Sequence, residues 1–447
     1  MNRCVRALCG LAMVVVATPA MAQTMIRDAE IEATIRTISD PLFSAGHLNP
    51  EDVHVYILND DKLNAFVAGG QNLFLNTGLL LRTENPDQLA GVIAHETGHM
   101  AGGHLSRGRQ QQEQSMASSV IGMLLGAAAA VAGAPQVGTA LMAGGLTWGQ
   151  QSFLKFSRSQ EQYADQAAVT YLAAERESPR GLLEFFKILE TQNLRISGGG
   201  SPYLRTHPLT SERIEFMTRQ VEISPYKDVK DDPELVERHA RMVAKLDGFL
   251  SDPDAALGRY RGDRLVDHYA RSIAYHRKAD TKRALAEVDK LIALRPDDPY
   301  FWELKGQILF ESGKPGDAVG PYEKAVKLQP DSSLLRLGLA RALLEEGKQA
   351  DVPQAISLLR EAVRIEPENP GLWQFLGIAL GRDGQEGEAT LALAERAVRT
   401  GNKRDAELYV GKAEQLVGPN DPGWIQLQDL ERTVADMEEP PREARRQ

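Results

Sequence analysis

The chain has 447 residues, of which 43% are hydrophobic and 25% are charged, and its formal net charge is −10. One hydrophobic core rarely organises a chain of this length, so we expect two or three domains. The composition is that of a globular protein. The acidic balance disfavours a nucleic-acid partner, because phosphate binding needs a basic surface.

The first 22 residues have the pattern of a secretory signal. Two arginines precede an apolar run from Ala7 to Ala17, and the tripeptide Ala20-Met21-Ala22 follows. This pattern predicts export with cleavage after Ala22. A membrane anchor is the alternative, but the run is short for a bilayer span. Both cysteines lie inside the signal, so the mature chain is expected to have no disulfide.

The rest of the chain divides into stretches of different texture. Residues 23–227 mix helical patterns with strand-like runs, Val53 to Leu58 and Leu73 to Leu75. Residues 228–262 have the pattern of a charged helical connector, and residues 263–430 are helical and repetitive. The tail, residues 431–447, is charged and contains prolines, and we predict that it is disordered.

The repetitive part has a period of about 34 residues. Alanines that open apolar helices recur at intervals of 34, 37 and 34 residues: Ala284, Ala318, Ala355 and Ala389. Prolines end these helices and glycines mark the turns: Pro296, Pro330, Pro367, Gly313, Gly347 and Gly384. The pattern resembles the tetratricopeptide repeat, whose stacked helix pairs form concave binding surfaces. A helical bundle without repeats is the alternative. The shorter interval to Ala406 indicates an extra or capping helix.

A metal site is predicted within the segment Gln88 to Met100, which has a helical pattern. On a helix, His95 and His99 lie one above the other, because positions i and i+4 share a face. Two imidazoles at this spacing can hold one zinc ion, with Glu96 beside a metal-bound water. Short motifs of this kind also occur by chance in unrelated helices.

A third ligand is needed, because a catalytic zinc has three protein ligands and an open position. The candidate is Glu161, in a second helical pattern. Asp165 lies one turn further on the same face, where it could orient a ligand imidazole. A solvated acidic helix face is the alternative interpretation for either residue alone.

Several segments together resemble the zinc peptidases related to HtpX and the CAAX prenyl proteases. They are Asn64-Ala65-Phe66, Gly69-Gly70, Thr77-Gly78-Leu79, Leu89-Ala90, His95 to His99, His104, Glu161 to Asp165 and Thr206-His207-Pro208. With the signal and the repeats, the whole chain looks like the BepA-like group of periplasmic metallopeptidases. The resemblance implies ligands at His95, His99 and Glu161, a general base at Glu96, and a role in outer-membrane protein quality control.

Two further histidines need an interpretation. His207 stands where members of this family place a histidine near the metal, so it is a candidate catalytic residue. It would either cap the metal or stabilise the oxyanion, and a histidine that satisfies a core hydrogen bond is the alternative. His104 is five residues beyond His99 and hence on a different helix face. We interpret His104 as structural.

The predicted fold is an α+β zincin-like metallopeptidase domain followed by an all-α tetratricopeptide-repeat solenoid. The predicted function is that of a periplasmic endopeptidase with one Zn2+ per chain. Its expected substrates are misfolded or stalled outer-membrane proteins, and a chaperone role in their assembly is included. The alternative is a binding or assembly factor whose capped zinc site rarely turns over.

The expected partners follow from the same resemblance. They are unfolded or misassembled outer-membrane proteins and, through the repeats, the outer-membrane assembly machinery. No nucleic acid is expected, and membrane contact is at most peripheral.

Two segments have open roles. Gly69 to Thr77 is expected to be an edge strand that pairs with an extended peptide, and an internal strand is the alternative. Gln114 to Leu154 has no charged residue. We expect it to form a helical hairpin over the active-site cleft, with intermittent membrane contact as the minority interpretation.

Overall fold

The computed structural model describes residues 25–104, 158–195 and 202–437, except for the side chains of 192–195. The predicted signal and the uncharged segment Gln114 to Leu154 lie outside the described residues. In the described part, no helix has the length and apolar character needed to cross a membrane.

A four-stranded sheet begins the N-terminal half. Its strands are β1 Met25–Ile26, β2 His54–Leu58, β3 Ala65–Ala68 and β4 Asn72–Asn76, in the spatial order β1-β2-β4-β3. β2 and β4 are parallel, and the two outer pairings are antiparallel. The predicted strand-like runs therefore correspond to β2 and β4, and the sequence pattern missed the short strands β1 and β3.

The segment Gly69 to Thr77 was expected to be an edge strand, and this prediction is wrong. β4 is internal, because β2 pairs along one side of it and β3 along the other. The reason is the tight turn at Gly69 and Gly70, whose φ angles are +58° and +100°. Glycine adopts such angles without steric cost, so the chain reverses here and places β3 outside β4. Within the described residues, the exposed edge beside the helices belongs to β3.

Helices cover one face of the sheet and extend the N-terminal half. They are α1 Ala29–Ala45, α2 Thr77–Leu80, α3 Pro86–Ala101, α4 (residues 158–174), α5 Arg180–Arg195, α6 Pro202–Thr206 and α7 Ser211–Ile223. Alternate strand residues such as Leu73 and Leu75 are buried against Ile35 of α1 and Val92 of α3 in one core. The alternation follows from the two-residue period of a strand.

Helix α3 is defined by its cap and by glycines. The Asn85 side chain accepts a hydrogen bond from the Gln88 backbone amide at 2.9 Å, and Pro86 occupies the first turn. A Cβ at Gly98 would lie 3.0 Å from Ala164 Cα of α4, and one at Gly91 would lie 2.7 Å from the Leu182 amide of α5. The glycines thus allow α4 and α5 to pack closely on α3, which outweighs their low helix propensity.

The predicted connector contains α8 Pro233–Leu250 and α9 Pro253–Arg259. Met242 and Leu246 of α8 belong to the same core as the sheet and α3. α8 also packs against the first helix of the repeats. This part of the chain is therefore a packed joint between the two halves, and the domain boundary on either side of it stays a prediction.

The C-terminal half is helical throughout its described length. Its helices are α10 Leu265–Arg277, α11 Thr281–Leu294, α12 Pro299–Glu311, α13 Pro315–Leu328, α14 Ser333–Glu346, α15 Val352–Ile365, α16 Pro370–Arg382, α17 Glu386–Arg399, α18 Lys403–Leu416 and α19 Trp424–Asp436. They pack as successive pairs, α10 with α11 through α16 with α17. The prediction of tetratricopeptide-like repeats is confirmed.

Equivalent contacts recur in successive repeats. The four alanines of the repeat are buried, and each lies in the second helix of its pair, which is α11, α13, α15 or α17. Indole nitrogens of Trp302 and Trp373 donate to the carbonyl oxygens of Pro296 and Pro367, at 2.8 and 2.7 Å. The sequence period therefore corresponds to a real structural period.

The predicted start of the disordered tail, residue 431, lies inside a helix. Residues 431–436 belong to α19, because Leu430 and Val434 are buried against α17 and α18 and hold the helix in place. Residues 438–447 lie outside the described part of the chain.

A buried ion network joins the N-terminal helix to the repeats. Glu30 of α1 contacts Arg241 of α8 at 2.5 Å and accepts a hydrogen bond from the Tyr269 hydroxyl. Arg241 also contacts Asp298 at 2.5 Å, and Lys245 contacts Asp28 at 2.7 Å. Glu30, Arg241 and Lys245 are all buried. The network fixes the start of α1 between α8 and the first repeats.

Replacing Glu30 with Ala should lower the free energy of unfolding by about 3 kcal/mol, because buried cations lose a partner. Urea denaturation followed by circular dichroism measures this. Arg27→Ala is the matched control, because the Arg27–Glu366 pair at 2.6 Å is 37% and 29% exposed. That variant should lose less than about 1 kcal/mol. Equal losses in both variants would contradict the special role of the buried network.

Candidate metal centre

Helix α3 presents two imidazoles to one buried point. His95 and His99 are both buried, and their Nε2 atoms lie 3.2 Å apart. The i, i+4 spacing therefore brings the rings together as the sequence predicts.

Two further side chains complete a group of four. Glu161 of α4 lies 3.4 Å from His95 Nε2 and 3.3 Å from His99 Nε2. His207, which follows α6, places Nδ1 at 3.4 Å from His95 Nε2 and 3.2 Å from Glu161 Oε1. The ligand atoms of all four residues lie within 4.8 Å of one another.

This spacing fits a tetrahedral metal ion. Ligand atoms about 2.0 Å from such an ion lie about 3.3 Å from each other, and imidazole nitrogen and carboxylate oxygen are zinc donors. The separations of 3.2–3.4 Å among His95, His99, Glu161 and His207 match that value. The four residues can therefore hold one metal ion.

Asp165 and Arg213 support the ligands from behind. Asp165 Oδ1 lies 3.0 Å from His95 Nδ1, the nitrogen that points away from the other ligands. Arg213 of α7 donates from Nε and Nη2 to Asp165 at 2.7 and 2.8 Å, and its Nη1 lies 2.9 Å from Glu161 Oε2. The expected position of Asp165 behind a ligand imidazole agrees with this geometry, and Arg213 was missed by the sequence analysis.

Protonation differs among the candidate ligands. Burial disfavours the charged form of His95, but its contacts with the Asp165 and Glu161 carboxylates outweigh this and raise its pKa to about 9, so a metal ion has to displace a proton there. Burial lowers the pKa of His99 to about 3, so its imidazole is neutral and has a free lone pair. The pKa of Glu161 is lowered despite its burial, because His207, His95 and His99 favour the carboxylate. The pKa of Asp165 is likewise lowered despite burial, mainly by the hydrogen bonds from Arg213. A neutral imidazole and ionised carboxylates are the forms that metals bind.

Glu96 lies beside this group and has no ligand role in it. Its side chain is fully buried, and neither carboxylate oxygen has a hydrogen-bond partner among the described residues. Burial raises its pKa. His207 faces this carboxylate, with Nε2 3.4 Å from Glu96 Oε1. A buried carboxylate without hydrogen-bond partners is costly, and a water that took the place of His207 would supply the missing donor.

His104 and Tyr203 each contact one histidine of the metal centre. His104 was interpreted as structural on a different helix face, yet its Nδ1 lies 2.9 Å from Nδ1 of His99. The helix ends at Ala101, and Gly103 with φ +60° turns the chain back towards it. The Tyr203 ring stacks on His207 with centroids 4.6 Å apart. Neither contact follows from helical spacing, so the sequence pattern could not reveal them.

Two protein-family models match the chain, and one of them is a peptidase family. Residues 26–221 match the model of peptidase family M48, and residues 288–394 match the tetratricopeptide-repeat domain of cytochrome c-type biogenesis protein H. The N-terminal half is an M48 peptidase domain. The chain is therefore a metalloendopeptidase in which the M48 domain precedes a repeat domain.

Two curated relatives match most of the chain. The chain is 26% identical over 388 residues to the beta-barrel assembly-enhancing protease of Yersinia pestis, covering 86% of this chain and 79% of the relative. It is 24% identical to the protein of that name in Escherichia coli K12, covering 88% and 78%.

Two further similarities each cover less than half of the chain. The mitochondrial metalloendopeptidase OMA1 of Saccharomyces cerevisiae is 25% identical over 185 residues, which is 40% of this chain and 50% of the relative. The solved structure of YrrB, a tetratricopeptide-repeat protein, covers 44% of this chain and 97% of its own, at 17% identity and a TM-score of 0.32.

Replacing Arg213 with Met should lower zinc affinity of the M48 domain by about 10- to 100-fold, because the side chains behind metal ligands orient them. Competition with a chromogenic chelator measures the affinity, and circular dichroism verifies that the variant is folded. Glu212→Gln changes an exposed residue of the same turn and should leave the affinity unchanged. An unchanged affinity in Arg213→Met would exclude this role of Arg213.

Proposed function

We propose that this chain is a zinc-dependent endopeptidase of the periplasm that acts on misfolded or stalled outer-membrane proteins. The observation that carries the proposal is the buried group of His95, His99 and Glu161 with the unpartnered carboxylate of Glu96 beside it. Three ligands plus a neighbouring general base are the parts that metal-assisted peptide hydrolysis requires.

The chemistry divides between the ion and the protein. His95, His99 and Glu161 would hold the zinc ion, which would supply Lewis acidity towards the scissile carbonyl and lower the pKa of the attacking water. Glu96 takes the proton of the attacking water and passes it to the leaving amine. Its burial favours this role, because the raised pKa makes Glu96 a stronger base than an exposed glutamate.

His207 acts as a cap in the resting state. Its Nδ1 has the separation from His95 and Glu161 that is expected of a fourth ligand, and its Nε2 faces Glu96. In this position His207 occupies the place that an attacking water needs. Turnover then requires the segment with Tyr203 and His207 to move away.

The substrate class and location are supported by the relatives and the sequence. Two relatives with matches over most of the chain are named beta-barrel assembly-enhancing proteases. The predicted signal with cleavage after Ala22 supports export. The repeats offer a concave surface for unfolded chains or for the assembly machinery.

Edge strand β3 supports binding of an extended substrate. It packs against α3, which carries the histidines, and its outer side has no partner strand in the described part of the chain. An extended polypeptide can add to such an edge through backbone hydrogen bonds. This role replaces the one first expected for the segment Gly69 to Thr77.

A second function is a binding or assembly factor with little turnover. The position of His207 over the other ligands favours it, because a closed centre does not hydrolyse peptides. Both activities can coexist in one chain, since the repeats are separate from the metal centre.

Glu96→Gln should retain one zinc ion per chain and lose at least about 99% of the cleavage rate, because the general base is removed while the ligands remain. Gel electrophoresis follows cleavage of a purified unfolded outer-membrane protein, and mass spectrometry measures the zinc content of the variant. Wild-type cleavage by the variant would contradict the proposal. If the variant still supports assembly of such a protein, the second function is present as well.

His207→Ala should increase cleavage of the same unfolded protein by about tenfold, as expected if the open centre is populated to about one tenth in the wild type. The initial rate of cleavage measures this at a fixed zinc concentration. A reduced rate would instead indicate that His207 stabilises the oxyanion. An unchanged rate would leave His207 with a structural role alone.

A further inference from the structure

A row of three aromatic rings crosses the sheet. The strand register places Tyr56 of β2 opposite Phe74 of β4, and Phe74 opposite Phe66 of β3. The ring centroids are 5.0 and 4.9 Å apart, with interplanar angles of 20° and 11°, so the rings are stacked. All three side chains are half-buried.

The row lies on the face of the sheet that does not form the core. The alternate residues Ala65, Val67, Leu73 and Leu75 are buried with α1 and α3. Because successive side chains of a strand point to opposite faces, the aromatic rings point away from those helices. Packing of the described core therefore does not account for the row.

The row ends at the edge of the sheet beside the metal helix. Phe66 is on β3, which pairs with β4 along one side and packs against α3. Among the described residues, no strand pairs with the other side of β3. In an antiparallel pair, directly opposed residues point to the same face. A strand added to β3 would thus place one side chain next to the Phe66 ring.

We infer that Phe66 is a specificity-determining residue, which selects polypeptides with an aromatic or large aliphatic side chain opposite it. The inference rests on the proposed endopeptidase function and names its substrate class. That class is an extended segment with a large apolar side chain at the position opposite Phe66.

The physical reason is continuation of the stack. A large apolar side chain opposite Phe66 covers the exposed part of its ring and extends the row from three members to four. A polar side chain at the same place makes no such contact. The interaction free energy of a cross-strand aromatic pair exceeds that of a pair of small side chains by enough to change binding affinity by about fivefold. The neighbouring substrate residues point to the opposite face, towards α3.

The test uses the full zinc-loaded chain and a set of extended peptides. One phenylalanine is moved stepwise along a host peptide of Ser, Thr and Ala residues, and kcat and KM are measured for each member. In the wild type, one phenylalanine position should raise kcat/KM by about fivefold, mainly by lowering KM. Phe66→Ala should abolish this preference, and Phe66→Leu should keep part of it.

Tyr56→Ala is the matched control. It removes a ring from the same row, but Tyr56 is two strands away from the edge, so the phenylalanine preference should persist. Phe66→Leu retains an apolar side chain and guards against loss of folding, which thermal melts of all three variants measure. The inference is overturned if the phenylalanine preference survives in Phe66→Ala, or if it disappears equally in Tyr56→Ala. In either case, cleavage of the peptides still supports the proposed endopeptidase function. No cleavage of any peptide or unfolded protein by the wild type removes both.

Discussion

The metal centre depends on the buried ion contacts of Arg213. Its guanidinium contacts both Glu161 and Asp165, two carboxylates that burial alone would make costly. One carboxylate is a candidate metal ligand, and the other lies against a ligand imidazole. Because the histidines are on α3, the carboxylates on α4 and the arginine on α7, this network holds three helices in one arrangement. A buried charge that loses its partner is strongly unfavourable, so the helices and the ligand geometry are coupled.

A second buried network gives the repeats a defined position on the M48 domain. Glu30, Arg241 and Lys245 connect α1 with α8 and with the first repeats. α1 and α8 also contribute to the core that contains the sheet and α3. The surface formed by the repeats is therefore attached to the element that carries the histidines.

Helical spacing explains which predictions succeeded. The pair His95 and His99 and the four repeat alanines obey local periods, so their proximity or burial follows from the sequence pattern alone. Chain reversals at single residues were not predicted, so the contact of His104 with His99 and the internal position of β4 were missed, although His104 keeps the structural role first assigned to it. His104 returns to His99 because Gly103 reverses the chain, and β4 is internal because Gly69 and Gly70 form a hairpin. Such reversals depend on single backbone conformations, which a periodic pattern does not contain.

The sequence by itself determined the M48 motif, the candidate ligands and the repeat period, since each is a local pattern of residue types. Tertiary structure alone decided the closed arrangement of the centre, the contacts of Arg213 and the identity of the edge strand. The candidate ligands come from α3, α4 and the segment after α6. Glu161 and His207 are separated by 46 residues in sequence. Contacts over such separations are set by helix packing and buried charge pairing, and neither quantity is periodic along the chain.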